Sequence, residues 1–76
     1  VPVSLKEKRR LRAFGANVRR ERCAQELTQD QLAELAEIAT RNLQKVEAGE
    51  LNILFTTIVR IQLALKCPWQ KLMPSE

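Results

Sequence analysis

Apolar residues recur along this chain at helical spacing, and each run is bounded by residues that start or stop helices. Leu11, Phe14 and Val18 fall at i, i+3 and i+7 behind Ser4 and Glu7, whose S-x-x-E spacing is that of a capping box. The pattern predicts a first helix over Leu5–Ala24. Gly15 lies inside it and costs about 1 kcal/mol relative to Ala, so it marks either a close helix contact or a break. With a break, residues 1–13 are a separate basic extension; without one, they are the start of helix 1. Residues 14–73 hold the rest of the pattern.

The next boundary is the sharpest in the chain. Thr28 and Gln31 form a second capping box, and Leu27 and Leu32 occupy the two positions of a hydrophobic staple. Helix 2 begins there, with Leu32, Ala33, Leu35 and Ala36 as its apolar face, and its pattern fails at Glu37. Glu37 to Ala39 is then a turn, and Thr40 to Ala48 a third helix stopped by Gly49. Asn52 is placed to cap a fourth helix carrying Phe55, Ile58, Ile61 and Leu65, widened by Val59 and Ala64. Residues 53–61 are rich in β-branched side chains, which leaves a strand open there, but the 3.6-residue period continues and no partner strand exists. Pro68 suits the first position of a short fifth helix holding Trp69, Leu72 and Met73. The fold class is therefore all-α, five short helices with a three-residue turn between the second and third.

Seventy-six residues make one domain. The formal charge of +4 is uneven: residues 1–22 carry eight Lys/Arg and two Glu, residues 23–76 five Lys/Arg and seven Asp/Glu. A basic segment favours a polyanionic partner, because neutralised phosphates release condensed counterions, although charge runs more often mark solvated helix faces. Cys23 and Cys67 have no C-x-x-C spacing, and the chain has no His, so no zinc site or redox pair assembles and no metal or cofactor is expected. Each Cys reads as a small buried hydrophobe, with a Cys23–Cys67 disulfide as the alternative. With no Tyr, a single Asp and serine only at positions 4 and 75, catalytic constellations are missing and enzymatic activity is not expected. No apolar run reaches the length of a membrane span, no small-molecule pocket is signalled, and the chain reads as cytoplasmic.

Helix 3 carries the chemistry. Leu43 and Val46 share one face with Ala39, while Thr40, Arg41, Gln44, Lys45 and Ala48 share the other. A helix fits the major groove of double-stranded DNA, where Arg and Lys donate to guanine and Gln pairs with adenine. Thr40, Arg41, Gln44 and Lys45 are the candidate base-facing residues. Gln29, at the positive end of helix 2, is a candidate phosphate contact, and Asn52 a second. Any solvated helix bears such residues; the staple, the capping box, the small Ala33 and Ala36 before a tight turn and the Gly-stopped third helix together match a helix-turn-helix. Arg22 and Glu47 are expected to pair as a structural bridge between helices 1 and 3.

From Phe14 to Met73 the chain resembles the lambda-repressor-like regulators of the XRE/Cro family, including short stand-alone repressors and restriction-modification controller proteins. Leu27-Thr28-Gln29-Asp30-Gln31-Leu32-Ala33 looks like the family's L-T-Q-x-x-L-A opening of helix 2, and Val46-Glu47-Ala48-Gly49 like its I-E-x-G close of helix 3. The resemblance implies a helix-turn-helix domain over 14–73, phosphate contact by Gln29, a groove-facing Thr40, Arg41, Gln44 and Lys45, an Arg22–Glu47 ion pair, and homodimers on two-fold symmetric operators. Trp69, with Leu72 and parts of helices 4 and 5, is the candidate dimer surface, unless Trp69 closes the core. The alternative function is a protein-interaction module, such as an antitoxin or adaptor, using the helix 4 and 5 surface.

Three positions depart from the family pattern. Glu26 and Glu37 stand where glycine is usual, at a cost if either backbone is left-handed. Ala39 replaces the Ser or Thr that caps helix 3, so Thr40 either caps in its place or faces the bases. Glu50 stands where a basic residue often approaches phosphate, which shifts affinity toward the basic amino-terminal segment.

Overall fold

Ser4 Oγ accepts from the Glu7 N–H at 3.1 Å and donates to the Glu7 carboxylate at 3.0 Å, which starts the first helix. The computed structural model describes residues 4–50 and 53–74. Among these it consists of α1 (Leu5–Ala24), α2 (Gln29–Ala36), α3 (Thr40–Ala48), α4 (Phe55–Leu65) and α5 (Trp69–Leu72). No strand occurs among the described residues, and the β-branched stretch lies in α4.

The core takes Phe14 and Val18 from α1, Leu32, Ala33 and Ala36 from α2, Leu43 and Val46 from α3, Ile61 and Leu65 from α4, Leu72 from α5, and Cys67. Burying such an aliphatic side chain contributes about 1.5 to 3 kcal/mol each, and five elements supply the shared apolar volume that none holds alone. α1 packs chiefly on α3, and α2 chiefly on α4.

Gly15 does not break α1. A Cβ placed on it would run into the carbonyl oxygens of Val46 and Glu47, so the glycine is where α1 crosses the end of α3 backbone to backbone. The close-contact alternative explains this residue.

Helix ends are closed in one repeated way. Glu26, Glu37 and Gly49 have φ of 57, 57 and 73°, and the following residue folds its N–H back five positions: Leu27 to Arg22, Ile38 to Ala33, Glu50 to Lys45. This is the left-handed closure that glycine favours, yet only Gly49 is a glycine. Lys66 ends α4 with φ 54° as well. Side-chain amides and a guanidinium satisfy further terminal carbonyls: Gln25 donates to Leu65 at 2.6 Å, Asn17 to Leu72 at 2.8 Å, and Arg20 to Lys71 at 2.7 Å.

Several expectations are corrected. Leu35 is 58% exposed, because Leu32, Ala33 and Ala36 centre the buried stripe and Leu35 falls beyond its edge. α4 starts at Phe55 with Leu54 as its cap and no side-chain hydrogen bond; Asn52, expected as cap and phosphate contact, lies outside the described residues. Phe55, which the pattern places on the apolar stripe of α4, is 74% exposed, since Ile58, Ile61 and Leu65 turn a different face inward. Pro68 caps α5 from an extended conformation and is not its first helical residue. Cys23 is exposed on the solvent side of α1, Cys67 is buried, and they form no disulfide. Ala39 is exposed because it precedes α3 in extended backbone and does not follow its period.

Candidate nucleic-acid interface

The site is built on the α2 and α3 pair. Thr28 Oγ1 accepts from the Gln31 N–H at 3.0 Å, and the Thr28 N–H donates to Gln31 Oε1 at 2.8 Å; both sides of the capping box are made. Leu27 packs half-buried against the core beside it. The turn after α2 is left-handed at Glu37, and Arg60 of α4 donates to the Glu37 carbonyl at 3.2 Å. Arg60 thus ties the turn to α4, a contact between distant residues that no local pattern signals.

Ala39 caps α3 with φ −69 and ψ 140° and offers no side-chain hydrogen bond. Thr40 is therefore the first helical residue and does not cap. Leu43 and Val46 lock α3 to the core, while Arg41, Gln44, Lys45 and Ala48 are exposed and Thr40 is half-buried at the edge. Arg41, Gln44 and Lys45 line one shallow concavity together with Glu50. Three of the four sequence-predicted base-facing residues therefore share a surface with a carboxylate at its rim, and Thr40 does not line it.

Behind that surface lies a bridged ion pair. Arg22 Nε donates to Glu47 Oε2 at 2.7 Å and Arg22 Nη2 to Glu47 Oε1 at 3.1 Å, a fork-to-fork geometry. The two side chains are only 12% and 4% exposed. The carboxylate pushes the guanidinium pKa up, chiefly through these hydrogen bonds and against the opposing cost of burial. Arg22 Nη1 also donates to the Leu27 carbonyl at 2.8 Å, so one side chain joins α1, the loop before α2, and α3.

Gln29 completes this network. Its Nε2 donates to Glu47 Oε1 at 3.0 Å, which fixes the amide at the amino-terminal end of α2 and leaves its second N–H available. The anchoring of Gln29 was not visible in the sequence, because it depends on how α2 and α3 meet. Lys45 and Arg41 stand on the same exposed face of α3.

The candidate dimer pair is split by the fold. Leu72 is fully buried under α1, so it has no surface to offer, whereas Trp69 is 36% exposed. The larger apolar exposure at this end of the chain is on α4, where Phe55 is 74% and Leu63 64% exposed and half-buried Val59 lies between them at helical spacing. The periodic pattern does not mark Leu63, because it lies off the core stripe of α4.

Among the described residues no group of acidic, Cys or His side chains is placed to hold a metal, and no helix is long and apolar enough to cross a membrane.

The family model for a helix-turn-helix matches residues 18–72. The crystal structure of the restriction-modification controller protein C.AhdI from Aeromonas hydrophila superposes with a TM-score of 0.79 at 30% identity, covering 83% of this chain and 96% of that one. No curated protein matches the chain. With the capping box, the left-handed turn and the polar face of α3 in place, the chain belongs to the XRE-type helix-turn-helix family of DNA-binding transcription regulators.

Proposed function

We propose that this protein regulates transcription as a homodimer on a two-fold symmetric operator, with α3 of each protomer in successive major grooves about ten base pairs apart. The observation that carries this is the single exposed face of α3 holding Arg41, Gln44 and Lys45, opposite the buried Leu43 and Val46. Arg41 and Lys45 are the donors suited to guanine O6 and N7, and Gln44 to adenine. Thr40, released from capping, reaches the first base at the groove edge. Gln29 directs its remaining N–H at a phosphate, pre-set by Glu47.

The homodimer reading is supported by the apolar surface of α4, with Phe55 and Leu63 exposed. A protein-interaction module, such as an antitoxin or adaptor, would use this surface for a different chain. Sedimentation equilibrium separates the two: a dimer lost in Leu63→Glu supports the regulator, and a monomer at all concentrations supports the module.

The test of base reading is a comparison of Arg41→Ala and Lys45→Ala on operator and mixed-sequence duplexes. A base-reading side chain loses about 1 to 3 kcal/mol of discrimination at one position, whereas a phosphate contact weakens every sequence alike. Equal losses on both duplexes for both variants rule out α3 as the reader.

A further inference from the structure

One stripe of α1 lies along α3, and its composition is unusual. Gly15 meets the backbone of Val46 and Glu47, Arg12 packs its backbone and stem directly on Gly49, and Arg22 grips Glu47. Positions 12, 15 and 22 therefore mark the side of α1 that faces α3, and at helical spacing the same stripe includes 8 and 19. It reads Lys8, Arg12, Gly15, Arg19, Arg22: every position is a cation except the one where the backbones touch.

Arg22 is consumed by Glu47. Lys8, Arg12 and Arg19 are exposed, and among the described residues the ion pairs are Arg20–Glu21 and Arg22–Glu47, so these three face no carboxylate partner. Gly49, on which Arg12 rests, directly follows Ala48 at the end of the exposed α3 face. Lys8 and Arg19 bracket that point, spanning about 16 Å along α1 at 1.5 Å per residue. Lys8, Arg12 and Gly15 lie before residue 18, where the family match begins, and Arg19 and Arg22 lie within it.

We propose that Lys8, Arg12 and Arg19 form a phosphate clamp on the DNA backbone beside the carboxyl-terminal end of α3, separate from base reading and from Gln29. The proposal rests on the reading that α3 enters the groove, which brings the α3 side of α1 against the flanking backbone. The clamp offsets the carboxylate of Glu50, which occupies the rim of the α3 surface. Lys6 and Arg10 lie on other faces of α1; Arg10 lines a groove with Leu11, Phe14 and Met73 and takes no part.

The experiment is fluorescence anisotropy with a mixed-sequence duplex over a range of salt concentrations. It compares the parent, Lys8→Gln/Arg12→Gln/Arg19→Gln, Lys8→Gln/Arg19→Gln and Lys6→Gln/Arg10→Gln, each checked for helix content by circular dichroism. Each lost contact lowers the slope of log K against log salt by about 0.9. The triple variant is expected to lose about 2 to 3 from the slope and the Lys8/Arg19 pair about 2, with Lys6→Gln/Arg10→Gln close to the parent. The pair leaves the Arg12 stem on Gly49, so the outcome does not depend on the triple variant folding. Slopes that follow only the number of charges removed, whichever face they come from, overturn the clamp, as do clamp variants with the parent slope. Arg41→Ala is measured alongside on a duplex that the parent protein selects from a random pool, with the mixed-sequence duplex as reference. If it loses selectivity while the clamp variants bind as the parent, the groove reading stands and the clamp falls; if selectivity is unchanged, the groove reading itself falls.

Discussion

A Cβ on Gly15 would lie 2.8 Å from the carbonyl oxygen of Glu47, closer than side chains tolerate and against backbone that cannot swing aside. Helix propensity favours Gly15→Ala by about 1 kcal/mol, but forcing α1 away from α3 costs about 1 to 3 kcal/mol and displaces Arg22 from Glu47. The expected outcome is net destabilisation, read as a lower urea midpoint. A midpoint at or above the parent would show that α1 crosses α3 with room to spare.

Arg22→Ala leaves the Glu47 carboxylate, 4% exposed, facing only Gln29. Breaking one side of such a buried pair costs about 3 to 5 kcal/mol, because the remaining charge is stranded. Arg22→Ala and Glu47→Ala are each expected to approach this loss in urea unfolding, and Arg22→Lys is expected to recover little, since one ammonium does not reproduce the fork on Glu47 and the bond to Leu27. If both alanine variants stay within about half a kcal/mol of the parent, outside the range for a buried pair, the bridge contributes nothing.

Much of the fold was legible because its signals are local. The side-chain cap at Ser4, the full capping box at Thr28 and the stop at Gly49 lie within one helical turn of the boundaries they set, and α1 and α2 begin and α3 ends where those residues place them; the reciprocal bond of the box expected at Ser4 and Glu7 is not made, since Ser4 Oγ itself takes the Glu7 carboxylate. Periodicity selected Phe14, Val18, Leu43 and Val46 for the core. It failed where burial depends on which neighbour arrives: Leu35 and Phe55 sit just off their buried stripes, and Leu72, on a helix of a single turn, has too few neighbours in sequence to reveal its face. The exposed face of α3 was legible for the same reason as its core face, one being the complement of the other. The Gln29–Glu47 and Arg60–Glu37 bonds were not, since each joins elements whose relative placement is tertiary.

Glu26 and Glu37 hold left-handed backbone at φ 57°, where a Cβ costs about 1 to 2 kcal/mol. Glu26→Gly and Glu37→Gly are expected to stabilise the fold by about 1 kcal/mol each. The sites lie at opposite ends of α2, so their thermal shifts should add in the double variant. No gain in melting temperature would contradict the left-handed closures.

Cys23 and Cys67 are predicted to differ sharply toward an alkylating reagent. Cys23 is exposed, whereas Cys67 is buried and its thiol is pushed up in pKa, chiefly by desolvation. Native protein should therefore label once, and urea-unfolded protein twice, by mass spectrometry. Because its folded pKa is raised, the Cys67 contribution to stability is complete below the ordinary thiol value of about 8.5 and is lost as pH rises through the folded value. Cys67→Ala should remove this alkaline component of the pH dependence of stability.

Sequence reading by α3 in a symmetric pair is what the proposed function stands on. Selection of double-stranded DNA from a random pool by the purified protein, at near-physiological salt, is the measurement that decides it. Enrichment of a two-fold symmetric sequence is expected, with half-sites about ten base pairs apart and the information at one position lost in Arg41→Ala. No enrichment, together with weak binding that falls steeply with salt on every duplex, would contradict it and leave the basic surface of α1 as a non-specific polyanion site.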